Sequence, residues 1–144
     1  MAKNFENIKV GGTIIFRNVA LTEAVRNRHV ELYGEELPSY RAKTGIIPTG
    51  LIISVINGLI GKSDWLAINF IMTTTIRRRK PIKVGDKITV KCRIIEATMP
   101  QDLKKNYGVV KISQDALVEG EIVCTVETTY AIFKKQRQHG KNKA

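Results

Sequence analysis

Few side chains in this 144-residue sequence can do chemistry, and their spacing removes several reaction classes at once. There are two histidines, His29 and His139. His29 repeats at helical spacing with Val25, Leu32 and Tyr33, so it reads as a core or interface residue and not a catalytic one. His139 lies in a basic terminal stretch and is assigned nothing. A serine or cysteine triad needs a histidine beside its nucleophile, and no second one is at hand. The two cysteines, Cys92 and Cys124, each sit inside an alternating apolar run. Neither has another Cys or His at the short spacing of a zinc site, so no metal is expected and both read as buried free thiols. What remains is a basic run, Arg77-Arg78-Arg79-Lys80. Alternation in a strand would send Arg77 and Arg79 to one face and Arg78 and Lys80 to the other.

These groups need elements to position them. Residues 13–18 follow Gly11-Gly12 and read as a short strand. Thr22 is an N-cap and Glu23 suits a first turn, so an amphipathic helix is expected over 23–33, stopped by Gly34. The stretch 35–47 has no clear period and reads as a loop. Pro48 can open the next helix, because its missing N–H would be unpaired there anyway. Leu51, Ile52, Ile53, Val55, Ile56, Leu59 and Ile60 then cover most of a helix circumference, which marks a buried helix near 48–60. Gly50, Ser54 and Gly58 form a stripe of small residues at spacing four, expected to let a sheet approach closely.

After Gly61 the period becomes two. Strands are expected within 66–79, from Ile88 to Ile94, from Val109 to Val118, and from Ile122 to Ile132, with a tight turn at Glu119-Gly120. Short turns between them imply sequential hairpins. One buried helix against an antiparallel sheet is an α+β layer fold.

Composition sets the bounds. A hydrophobic fraction of 43% is ordinary for a globular chain. No apolar run reaches the roughly 18 residues of a membrane span, and no apolar stretch follows the N-terminal lysine as in a secretory signal. A cytoplasmic location is expected. The net charge is +11, of which five positive charges lie in 134–144 without an acid; eleven minus five leaves +6 for a single domain over 1–133. The basic tail 134–144 is expected to be disordered. The +6 suits an anionic ligand, a nucleic acid or solubility alone.

Three segments in order resemble one family. Leu32-Tyr33-Gly34-Glu35-Glu36-Leu37-Pro38-Ser39-Tyr40 resembles a Gly-Asp-x-Asn-Pro-x-His segment. Gly45 to Leu59 resembles an Ala-His-Gly-like element leading into a central apolar helix. Arg79 to Ile88 is similar to a Pro-Val-x-x-Gly-Asp turn. Together, over residues 9–133, they resemble the MaoC-like hotdog proteins, in which an antiparallel sheet wraps a central buried helix. Members are typically enoyl-thioester hydratases or dehydratases acting on acyl-CoA or acyl carrier protein, with no further cofactor.

The resemblance implies a site residue by residue. The family's catalytic Asp and His fall on Glu35 and Tyr40, with the spacing of five kept and both identities changed. The His before the helix glycine falls on Thr49. The thioester carbonyl would lie at the N-terminus of the central helix, with the Gly50 N–H pointing at its oxygen, where the helix dipole favours negative charge. Arg77, Arg79 and Lys80 would meet the phosphates of coenzyme A, a solvated strand end being the plain alternative. Such domains usually pair, so a homodimer or larger assembly is implied. The competing functions are a non-enzymatic acyl-CoA-binding or partner-subunit module, and a thioesterase with Glu35 as its base. Nucleic-acid binding is not favoured, because the aromatic-and-basic surface pattern of such modules is missing.

Overall fold

Where apolar residues recur at every second position, a strand buries one face and leaves the other in water. The computed structural model describes residues 2–33 and 45–135. Strand β1 (Thr13–Val19) and helix α1 (Glu23–Tyr33) come first, then helix α2 (Thr49–Lys62). Four long strands follow: β2 (Ile68–Arg78), β3 (Ile88–Thr98), β4 (Tyr107–Val118) and β5 (Glu121–Phe133). A short 3-10 turn at Phe5–Asn7, which carries no periodic signal, precedes them.

The five strands form one antiparallel sheet in the order β1-β3-β4-β5-β2. The expected hairpins hold for β3-β4 and β4-β5. The second of these turns through Glu119 and Gly120, both at positive φ, as a two-residue hairpin turn requires. The hairpin expected between β2 and β3 does not form. β2 pairs instead with β5 at the far edge, from Ile68↔Ile132 to Arg78↔Cys124. Residues 79–87 carry the chain back across to β3, and Asp86 closes their turn by accepting the Lys83 N–H at 2.9 Å, beside Gly85 at φ +88°.

Helix α2 packs its Leu51, Ile52, Ile56 and Ile60 into the core on the sheet's inner face. That face supplies Val90, Cys92 and Ile94 from β3, Val110, Ile112 and Ala116 from β4, and Cys124, Val126, Tyr130 and Ile132 from β5. Two expectations about the helices are overturned. The small-residue stripe is not a close approach: Ser54 is exposed, and a Cβ added at Gly58 would meet nothing. On α1 the apolar stripe faces outward, with Val25, Leu32 and Tyr33 exposed, and the buried residue is Arg26. Thr22 does cap α1, accepting the Val25 N–H at 3.2 Å.

Both cysteines are free and buried, as their place in alternating runs implies. Of the expected tail, Lys134 and Lys135 are hydrogen-bonded, to the Asn106 carbonyl and to Glu6. Residues 136–144 lie outside the described residues. No helix among the described residues is long and apolar enough to cross a membrane.

Candidate functional site

The segment leading into α2 is held from both sides. Gly45–Ile47 lies antiparallel to the 82–84 stretch, with Ile47 N–H donating to the Ile82 carbonyl at 2.8 Å and Val84 N–H to the Gly45 carbonyl at 2.8 Å. Pro48 stands at the N-cap in extended conformation, which a proline before a helix prefers. From α1, Arg26 Nε donates to the Ile46 carbonyl at 2.6 Å. From β2, Arg78 Nη1 donates to the Thr49 hydroxyl at 3.1 Å. Two guanidinium groups therefore flank the four residues 46–49, and Gly50 follows as the second residue of α2.

The electrostatics follow from that placement. A helix N-terminus is the positive end of the peptide dipoles, and here a guanidinium is added to it. The Arg78 charge also reaches Cys124, its register partner in β5. There, burial and Asp115 raise the thiol pKa while Arg78 lowers it, with a net rise. A positive, partly buried spot of this kind favours an anion or an oxygen on which negative charge develops.

The residues expected at the site divide. Thr49 and Gly50 are at the head of α2, joined there by Arg78. Arg77, on the opposite face of β2, and Arg79, just past its end, are exposed and line a shallow hollow of ≈ 410 Å³ with Thr75, Thr125 and Glu127. Alternation had separated Arg77 and Arg79 from Arg78 in the same way. Lys80 lies just past the strand, with its Nζ 2.7 Å from a Glu121 carboxylate oxygen. Glu35 and Tyr40 fall outside the described residues. Arg78, not among the residues expected at the site, is the basic residue that touches the helix. The available signal was its strand parity, opposite to Arg77.

A second feature lies deeper along α2. Asn57 is the polar exception in the helix's buried face. Its Oδ1 accepts from Thr128 Oγ1 at 2.8 Å, Tyr130 OH at 3.2 Å and Gln114 Nε2 at 3.3 Å, while Nδ2 donates to Thr74 Oγ1 at 3.3 Å. Gln114 and Thr128 are completely buried, yet every member has partners, which a buried polar network requires. Burial beneath the helix also pushes the Tyr130 hydroxyl pKa well up. Sequence alternation put Thr128 and Tyr130 on the inner face but gave no sign of Asn57 or Gln114 as their partners. Among the described residues no group of three His, Cys, Asp or Glu side chains is arranged to hold a metal ion.

Comparison with known proteins places this geometry in a fold. No protein-family model matches the chain, and no curated protein matches it by sequence. Solved structures do match. A MaoC-like dehydratase from Rhodospirillum rubrum superposes with a TM-score of 0.78 at 15% identity, covering 94% of this chain and 100% of that one. An R-hydratase from Pseudomonas aeruginosa gives 0.73 at 17% identity, covering 92% and 86%. A Mycobacterium tuberculosis protein described as having a double hotdog fold gives 0.73 at 14% identity, over 93% of this chain and 45% of that one. The chain therefore has the α+β hotdog fold, as its motif order implied, in the form seen in MaoC-like dehydratases.

Proposed function

We propose that this protein binds acyl thioesters, carried on coenzyme A or an acyl carrier protein, and adds or removes water across the adjacent double bond. The observation that carries the reading is the head of α2, where Thr49, Gly50 and the Arg78 guanidinium meet at the positive end of a buried helix. A thioester oxygen seated there gains hydrogen-bond donation and positive charge as the enolate-like transition state develops, and those gains are largest when water is excluded. The similarity in fold to hydratases and dehydratases supports the same reaction class. In this reading Glu35 is the general base and Tyr40 its polar partner, on the segment between α1 and α2. Arg77, Arg79 and Lys80 lie further along the route of the carrier's phosphates, at the protein surface.

A homodimer belongs to the same proposal. β2 is an edge strand, and Phe70, Ile71 and Met72 along it are all exposed. An unprotected apolar edge is a template for pairing with another strand. A cytoplasmic location fits two cysteines that are both free. The domain is taken as 1–133, with 134–144 as an appended basic tail.

The test is loss of the enoyl absorbance of crotonyl-CoA on incubation with the protein. Hydration by the wild type, abolished in Glu35→Gln with ligand binding kept, supports the enzyme. If there is no turnover but acyl-CoA still raises the melting temperature, the chain is the non-enzymatic binding module instead. If neither is seen, the thioester reading is overturned. Sedimentation that gives a monomer at micromolar concentration would remove the dimer.

A further inference from the structure

Among the described residues, Arg26 is a buried arginine with no carboxylate partner. Its side chain is 2% exposed. Nε donates to the Ile46 carbonyl at 2.6 Å, and Nη1 makes a long contact, 3.4 Å, to Asn27 Oδ1. Nη2 is buried and has no hydrogen-bond acceptor. No described carboxylate forms an ion pair with this residue. Asp86, in the turn before β3, spends one carboxylate oxygen on the Lys83 N–H.

Taking a guanidinium out of water costs several kcal/mol, and attraction to an opposite charge is what offsets that cost. A neutral carbonyl and a neutral amide do not supply it. Arg26 also adjoins the segment that leads into the head of α2, through its bond to the Ile46 carbonyl. Its carbonyl partner, Ile46, is four residues before Gly50, so the two backbones are at most about 14 Å apart even if fully extended.

We infer that Arg26 Nη2 receives a carboxylate oxygen borne by the acyl group, so that the preferred ligand is the thioester of a dicarboxylic acid. This rests on the reading of the α2 head as a thioester site and specifies its substrate class. A carboxylate is favoured over a phosphate for a steric reason. One donor nitrogen in a residue that is 2% exposed suits a small planar anion at the end of a chain and not a solvated phosphodiester.

The test compares two ligands of equal chain length, glutaryl-CoA and pentanoyl-CoA, with coenzyme A as the reference, by calorimetric titration of the full-length protein. Glutaryl-CoA is expected to bind at least tenfold tighter than pentanoyl-CoA. Arg26→Gln should erase the preference, glutaryl-CoA and pentanoyl-CoA then binding within about threefold of each other. Arg26→Lys, which keeps the charge and tolerates folding better, should lose at least threefold of the preference. Equal or tighter binding of pentanoyl-CoA overturns the inference and leaves the thioester site standing. A preference that survives in both variants overturns the assignment to Arg26. If coenzyme A alone binds as tightly as either thioester, the anion recognised is the carrier phosphate; the inference and the thioester site then fall together.

Discussion

Arg78 on β2 reaches across to Thr49 on α2, with Nη1 donating to the hydroxyl at 3.1 Å. The contact ties the last residue of an edge strand to the first residue of the buried helix, across 29 residues of sequence. It also sets a positive charge beside the helix's own positive end. That combination gains most from an anion or a polarised oxygen, and this is why it centres the functional reading.

Arg78→Met is therefore expected to weaken acyl-CoA binding about tenfold, corresponding to ~1.4 kcal/mol. The lost charge-assisted hydrogen bond should lower folding stability by about 1–3 kcal/mol. Arg77→Met, on the opposite face of the strand, should change stability by less than about 0.5 kcal/mol. Titration calorimetry and urea melts of both variants check this. Equal effects of the two substitutions would show that the inward face has no special role.

Asn57→Leu keeps side-chain volume and removes the acceptor shared by Thr128, Tyr130 and Gln114. Three buried donors then lose a partner, and the expected cost is about 2–4 kcal/mol. Ser54→Leu, one turn earlier on the exposed side, should cost less than about 0.5 kcal/mol. Chemical denaturation of the pair decides whether the network carries stability.

Gly108 on β4 has the ring of Phe5 seated where a Cβ would stand. Gly108→Ala should destabilise the domain by about 1–3 kcal/mol through overpacking. Phe5→Ala should relieve most of that added cost. A double-mutant cycle measures the coupling, and strictly additive effects would disprove the contact.

Burial, reinforced by Asp115, pushes the Cys92 thiol up from its ordinary 9.0 to about 12. The folded state therefore holds this proton more tightly than the unfolded chain does. The stabilising contribution is complete below pH 9 and is lost as the pH rises from 9 towards 12. Denaturation midpoints between pH 8 and 11 should fall less steeply in Cys92→Ala than in the wild type. Parallel curves would mean that the thiol does not contribute.

Much of the fold was legible in particular residues. The apolar wrap of Leu51 to Ile60 marked a buried helix, and Ile88, Val90, Cys92 and Ile94 marked a half-buried strand, because side-chain periodicity is a local property of the backbone. Local periodicity says nothing about which strands become neighbours. Hence β2 was expected beside β3 and stands beside β5. It also misjudged α1: Val25, Leu32 and Tyr33 repeat at helical spacing, yet Tyr33 is 71% exposed and Arg26 is the residue inside.

The site divides in the same way. Sequence alone determined the small inventory of reactive groups, the helix start at Pro48-Thr49-Gly50, and the parity that separates Arg78 from Arg77 and Arg79. Only the tertiary structure decided that Arg78 meets Thr49, that Arg26 turns inward to Ile46, and that Asn57 gathers Gln114, Thr128 and Tyr130 around one oxygen. The reason is physical. Spacing along a chain determines which way a side chain leaves its own element, but a hydrogen bond between elements depends on how the sheet and helices pack, and that packing is settled by the whole buried core at once.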